Sequence, residues 1–123
     1  MNTWFISDGY VPYIKDSGDA PIGHEAIAVV NKGDRPARLQ VEVYFMNREP
    51  MRGFEFEILP ERSHRIILGK DYELAGSMKI PVPSNEPYSL KLTSDGDLSV
   101  QFSRVDSRSQ KLALFSTVIP KET

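Results

Sequence analysis

The stretch Arg104-Val-Asp106-Ser107-Arg108 places two guanidinium groups, a carboxylate and a hydroxyl within five residues. Alternate residues of a strand share a side, so at strand spacing Arg104, Asp106 and Arg108 fall on one face. Arginine makes planar, bidentate contacts with carboxylates and phosphates. Such a cluster is either an internal Arg–Asp network, since buried charges must be paired, or a site for an anionic or polyhydroxylated ligand. Ser107 lacks the Gly-x-Ser-x-Gly elbow of a hydrolase nucleophile, and neither a P-loop nor a dinucleotide fingerprint occurs. His24 and His64 are far apart and the chain has no cysteine, so the three or four converging ligands of a zinc site are not in sight. The expectation is a protein without catalysis, metal or cofactor. His24-Glu25 reads as a polar strand start whose side chains face opposite ways. Trp4 is read as an aromatic staple of the N-terminal strand, with ring stacking on a ligand as its alternative; Tyr10 and Tyr13, flanked by glycine and proline, are read as exposed.

The elements that must position these groups alternate with a period of two. Leu39, Val41, Val43 and Phe45; Phe54, Phe56 and Ile58; Tyr88, Leu90 and Leu92; and Leu98, Val100 and Phe102 each alternate with polar residues. Each pattern describes a strand with one buried and one wet face. Glu25–Val30 and Leu112–Ile119 are more continuously apolar, as in strands covered more fully. The best helix candidate, Ser107–Leu114, holds one turn. Ile80–Pro87, with three prolines, is expected at an edge or in an extended loop. The fold class is therefore all-β: a single-domain antiparallel β-sandwich over residues 1–123, with little or no helix.

Pairing apolar with apolar residues gives two hairpins. A Ser94-Asp95-Gly96 loop sets Leu92 against Leu98, Leu90 against Val100 and Tyr88 against Phe102, with Gly96 in a left-handed bulge. Phe45 against Phe54 sets Val43 against Phe56 and Val41 against Ile58, leaving Asn47–Gly53 as a long connecting loop.

Net charge is −2 and the pI about 5.7, which disfavours binding along a phosphate backbone. Without cysteine the core stands without disulfides. The first residues lack the basic and apolar regions of a signal peptide, and no apolar run reaches the length of a membrane span. A cytoplasmic protein, not integral to a membrane, is expected.

Asp8-Gly-Tyr-Val-Pro12, His24-Glu25, Asn31-Lys-Gly33-Asp34, Glu49-Pro50, Pro60-Glu-Arg62-Ser-His64, Gln101–Arg108 and Ala113–Thr117 occur in an order and spacing that resemble the soluble transducers of microbial sensory rhodopsins. The resemblance covers nearly the whole chain. It implies a compact β-sandwich assembled as a cyclic homotetramer. It also implies a non-enzymatic signalling role, with a membrane photoreceptor or another signalling protein as partner. A pocket for a small polar, sugar-like or anionic ligand is implied as well. The matching polar positions are His24, Glu25, Arg62, Arg104, Asp106 and Arg108, with Trp4 and Tyr10 as aromatic walls. Two other readings stand beside it. One is a structural module whose Arg/Asp cluster is an internal or intersubunit salt-bridge network; the other is a DNA-binding regulator, which the net charge disfavours.

Overall fold

Nine strands arise where the alternating runs lie. They are β1 (Asn2–Gly9), β2 (Gly23–Asn31), β3 (Ala37–Phe45), β4 (Met51–Ile58), β5 (Ser63–Leu68), β6 (Met78–Ile80), β7 (Tyr88–Ser94), β8 (Leu98–Asp106) and β9 (Ala113–Ile119). The structure, a computed structural model, describes residues 1–12, 23–70, 78–106 and 113–122; the side chains of residues 23, 24, 106 and 113–115 also lie outside the description. The candidate helical turn at Ser107–Leu114 falls largely outside it, and the chain is already extended at Ala113. No helix among the described residues is long and apolar enough to cross a membrane.

Two sheets pack face to face, in the orders β1-β7-β3-β4 and β6-β5-β2-β8-β9. All pairings are antiparallel except the short β5–β6 contact. The inward rows are those the alternation marks: Leu39, Val41 and Val43; Leu90 and Leu92; Val100 and Phe102 are buried in one cluster with Ile27, Val29 and Ile66. Trp4 is buried in the same cluster. The proline-rich 80–87 stretch begins in the edge strand β6 and continues as loop.

Both expected hairpins need correction. β7 and β8 do not pair. β7 lies between β1 and β3, while β8 lies between β2 and β9 in the other sheet. Leu92 accordingly faces Trp4 and Val41 across its ladder, not Leu98. The loop between β7 and β8 crosses from sheet to sheet, and Gly96 has no positive φ. Its lack of a side chain serves a close approach instead, since a Cβ there would lie 2.4 Å from the Cβ of Ala37. β3 and β4 do form a hairpin, but Val41 pairs with Phe54, Leu39 with Phe56 and Ala37 with Ile58. The register differs by four residues from the expectation. An even shift leaves every side chain on its expected face, so alternation alone cannot distinguish the two registers. A bulge at Arg52-Gly53, with Gly53 at φ 92°, carries β4 onward to pair Met51 with Val43. The loop expected at Asn47–Gly53 is correspondingly shorter.

Three connections, 32–36, 59–62 and 95–97, cross between the sheets at one end of the sandwich. Asn31, the last residue of β2, is buried and ties all three. Its Nδ2 donates to the carbonyls of Arg35 (2.7 Å) and Ile58 (2.9 Å), and its Oδ1 accepts from the Gly33 amide. Its backbone exchanges bonds with Glu61 and Arg62, and the next residue, Lys32, donates to the Asp97 carbonyl. Asn31→Ala strands two carbonyls and one amide at this junction. A buried group left unpaired costs about 1–3 kcal/mol, so a loss of about 3 kcal/mol in urea unfolding is expected. An unchanged midpoint would show that the crossovers hold without it.

Candidate functional site

At the other end of β2, a carboxylate stands in the core row. Glu25, Ile27, Val29 and Asn31 share the inward face, and β8 sets Arg104, Phe102, Val100 and Leu98 against them in register. Strand alternation thus forces both Glu25 and Arg104 between the sheets. The Glu25 side chain is 0% exposed and that of Arg104 28%.

Three elements supply donors to this carboxylate. Tyr88, the first residue of β7, donates its hydroxyl to Oε1 at 2.5 Å. The Tyr10 amide, just past β1, donates to the same oxygen at 2.9 Å. Arg104 donates Nε to Oε2 at 2.5 Å. A second arginine nitrogen, Nη2, donates to the Asp8 carbonyl at 2.7 Å. That carbonyl is presented by a bulge. β1 pairs Ile6 with Leu90 but Gly9 with Tyr88, so Ser7 and Asp8 together oppose Ser89. Gly9 is needed there, because a Cβ at this position would lie 2.3 Å from Cζ of the Tyr88 ring. Without it the phenol could not reach Glu25.

Burial pushes the Glu25 carboxyl above its ordinary 4.5, while Tyr88, Arg104 and the Tyr10 amide each pull it back. Burial and the adjacent carboxylate push the Tyr88 hydroxyl well above its ordinary 10.0. Tyr88 therefore stays protonated and acts as a donor. Glu25 lies among three donors, the Tyr88 hydroxyl, the Tyr10 amide and the Arg104 guanidinium, an arrangement that fixes its carboxylate in place.

Arg104 also borders an open groove of about 350 Å³ between the edge strands β1 and β9. Phe102, Ile6 and Ile119 supply apolar surface; Ser7, Asp8 and Thr117 supply polar groups. Phe5, also in its wall, is 46% exposed. Two of the five guanidinium N–H groups meet Glu25 and Asp8, and the arginine's exposed part faces this groove.

The sequence-derived candidates divide between this end and elsewhere. Glu25 and Arg104 meet, and Tyr10 joins them through its backbone. The described partner of Arg104 is thus Glu25, where sequence spacing points to Asp106. Asp106 pairs in register with Gly23 and Ala113, and its side chain lies outside the described residues, as does all of Arg108. His24 sits opposite Val105 in the ladder, its side chain likewise outside the description. Arg62 is at the crossover end, donating to the Glu61 carbonyl; Asn31, whose amide donates to the Arg62 carbonyl, lies six residues from Glu25, about 20 Å away at strand rise. Trp4 is a core residue, 1% exposed. Among the described residues, no three His, Cys, Asp or Glu converge to hold a metal. Sequence reasoning missed Tyr88 and Asp8 as parts of the site, whereas Phe5, beside Trp4, was among the aromatics open to stacking on a ligand. The available signal was parity: Tyr88 begins an inward row, which points its phenol toward whatever polar group ends the neighbouring core row.

The family described as Anabaena sensory rhodopsin transducer matches residues 1–119. Among solved structures, the crystal structure of Thermotoga maritima 1070 is similar with a TM-score of 0.76 and 27% identity, over 97% of this chain and 92% of that one. The Anabaena sensory rhodopsin transducer is similar in fold, with a TM-score of 0.63 and 19% identity over 82% and 85% of the two chains. Comparison with curated proteins gives no match.

Two outcomes test the ion pair. Arg104→Ala leaves Glu25 buried without its cation and is expected to cost about 3 kcal/mol in chemical unfolding, with about half recovered by adding Glu25→Leu. An Arg104→Ala chain as stable as wild type would contradict the pairing. The second outcome is pH dependence. The folded state holds the Glu25 proton more tightly than the unfolded chain, whose carboxyl titrates near 4.5. Its contribution to stability is therefore full below pH 4.5 and declines as pH rises through the folded value. The melting temperature of wild type minus that of Glu25→Gln should fall as pH is raised from 4.5; a flat or rising difference would reverse the assignment.

Proposed function

The chain belongs to the Anabaena sensory rhodopsin transducer family, and we propose that it is a non-enzymatic cytoplasmic signalling or adaptor protein that binds a small polar ligand in the β1–β9 groove. The observation that carries this reading is the position of Arg104. Glu25 and the Asp8 carbonyl fix the guanidinium and balance its charge, while its exposed part borders open space beside Phe5. A fixed, charge-balanced donor beside an aromatic ring suits a polyhydroxylated or weakly anionic ligand better than a polyanion. The groove offers acceptors in Asp8 and hydroxyls in Ser7 and Thr117 for orientation. The chain acts as one domain and as a homotetramer; its signalling partner is a membrane photoreceptor, as the family's name indicates for its namesake, or another signalling protein.

A second reading has its own observation. Two of the arginine's donors are already met inside the chain, as they would be in a purely structural network. The two readings differ in what Phe5 does, since it takes no part in the Glu25 network. In a thermal-shift screen of sugars, phosphates and nucleotides, a ligand that binds raises the melting temperature by mass action. Phe5→Ala is expected to weaken that ligand about tenfold, the loss of one stacked ring, with little change in the free protein's stability. A ligand bound equally well by Phe5→Ala lies elsewhere, and a screen without any stabilising compound favours the structural reading.

A further inference from the structure

Glu25 is fully covered and does not line the β1–β9 groove. Its link to that space is Arg104, which gives Nε to the carboxylate and turns the exposed part of its guanidinium to the groove. The charge that a groove ligand meets is therefore set by a residue that the ligand does not touch.

The surroundings of Glu25 make this dependence specific. Tyr88 faces it from β7, Arg104 from β8 and the Tyr10 amide from the segment after β1. Leu68, its ladder partner on β5, is aliphatic. Among the described residues Arg104 is thus the one cation paired with Glu25. Asp8, the other acid at this end, reaches the network through its carbonyl and borders the groove.

An ionised Glu25 cancels the guanidinium at close range and uses its Nε–H. A neutral side chain at this position still accepts at one oxygen from Tyr10 and Tyr88. Its other terminal atom then carries hydrogen and suits the Arg104 Nε–H poorly. The guanidinium keeps its bond to the Asp8 carbonyl but loses its counter-charge. Its remaining N–H groups and its charge are then offered to the groove, the arrangement that holds anions. We infer that Glu25 is the specificity-determining residue of the groove, acting through Arg104. Ionised, it favours uncharged, hydroxyl-bearing ligands; neutral, it turns the same groove into a site for small anions.

This assignment rests on the groove being a ligand site. Burial raises the Glu25 carboxyl above 4.5, which brings its neutral form within reach of mild acid. By linkage the converse holds, and an anion on Arg104 favours proton uptake by Glu25.

The test compares methanesulfonate, a monoanion at every pH used, with dimethyl sulfone, its neutral near-isostere. Both are titrated by nuclear magnetic resonance on the Arg104 Nε–H signal and the Phe5, Ser7 and Thr117 amides. At neutral pH, Glu25→Gln is expected to raise affinity for the anion relative to the sulfone about tenfold over wild type, the effect of one adjacent charge on an ionic equilibrium. In wild type the same ratio should rise as pH falls from neutral to 4.5, because Glu25 takes up its proton above that value; in Glu25→Gln it should stay level. A purely structural pair would lower the stability of Glu25→Gln and leave the ratio where it was. That result overturns the inference and spares the ligand reading. A pH slope kept in full by Glu25→Gln belongs to Asp8 and overturns the inference as well. If Glu25→Gln does not fold, the wild-type profile decides, and a ratio unchanged down to pH 4.5 overturns the assignment. If neither compound moves a groove signal in wild type or variant, the ligand reading falls and the assignment with it.

Discussion

A carboxylate that no water reaches organises one end of this sandwich. Glu25 sits in the core row of β2, fully covered, and an ion in such a place must be compensated or the fold loses several kcal/mol. Compensation comes from β7 through Tyr88, from β8 through Arg104 and from the segment after β1 through the Tyr10 amide. The bulge in β1 and the glycine that follows it are consequences of this demand. The bulge turns the Asp8 carbonyl to the arginine, and Gly9 leaves room for the phenol. Placing one charge inside therefore fixes the relative positions of four strands from both sheets.

The opposite end solves the same problem with a neutral group. Asn31 occupies the other terminus of the same inward row and satisfies carbonyls and amides from the crossovers. Between these two polar ends the row is aliphatic. The amide end joins loops, which need both donors and acceptors; the acid end gathers donors only, which is what a carboxylate can use. The groove opens at the acid end, where the arginine is held by its guanidinium edge and still has surface to offer.

Much of this was legible in the residues, and the failures have a common cause. Alternation assigned the inward rows of β3, β7 and β8 and so identified nearly half of the buried core cluster. It did not identify strand partners. Tyr88–Thr93 and Leu98–Phe102, joined by a short glycine-containing loop, look like any hairpin. Only the second sheet, to which β8 belongs through Ile27 and Val29, explains why the loop crosses instead. The four-residue error at Phe54 preserved every face and was invisible to a parity argument. Glu25 and Arg104 are 79 residues apart, so local spacing pointed to Asp106. Parity again held the missing information: an acid ahead of Ile27 and Val29, and an arginine after Val100 and Phe102, both continue apolar inward rows and need each other.

Trp4 is the chain's one tryptophan, and its near-complete burial has an optical consequence. It sits on β1, directly before Phe5, where the wall of the groove begins, on the strand whose bulge is tied to Arg104. Indole emission from this protein is a single-site signal reporting whether one edge strand is seated on the rest. Detachment of β1 alone would shift the whole spectrum to longer wavelength while most of the β ladder, and hence the far-ultraviolet circular dichroism, stayed in place.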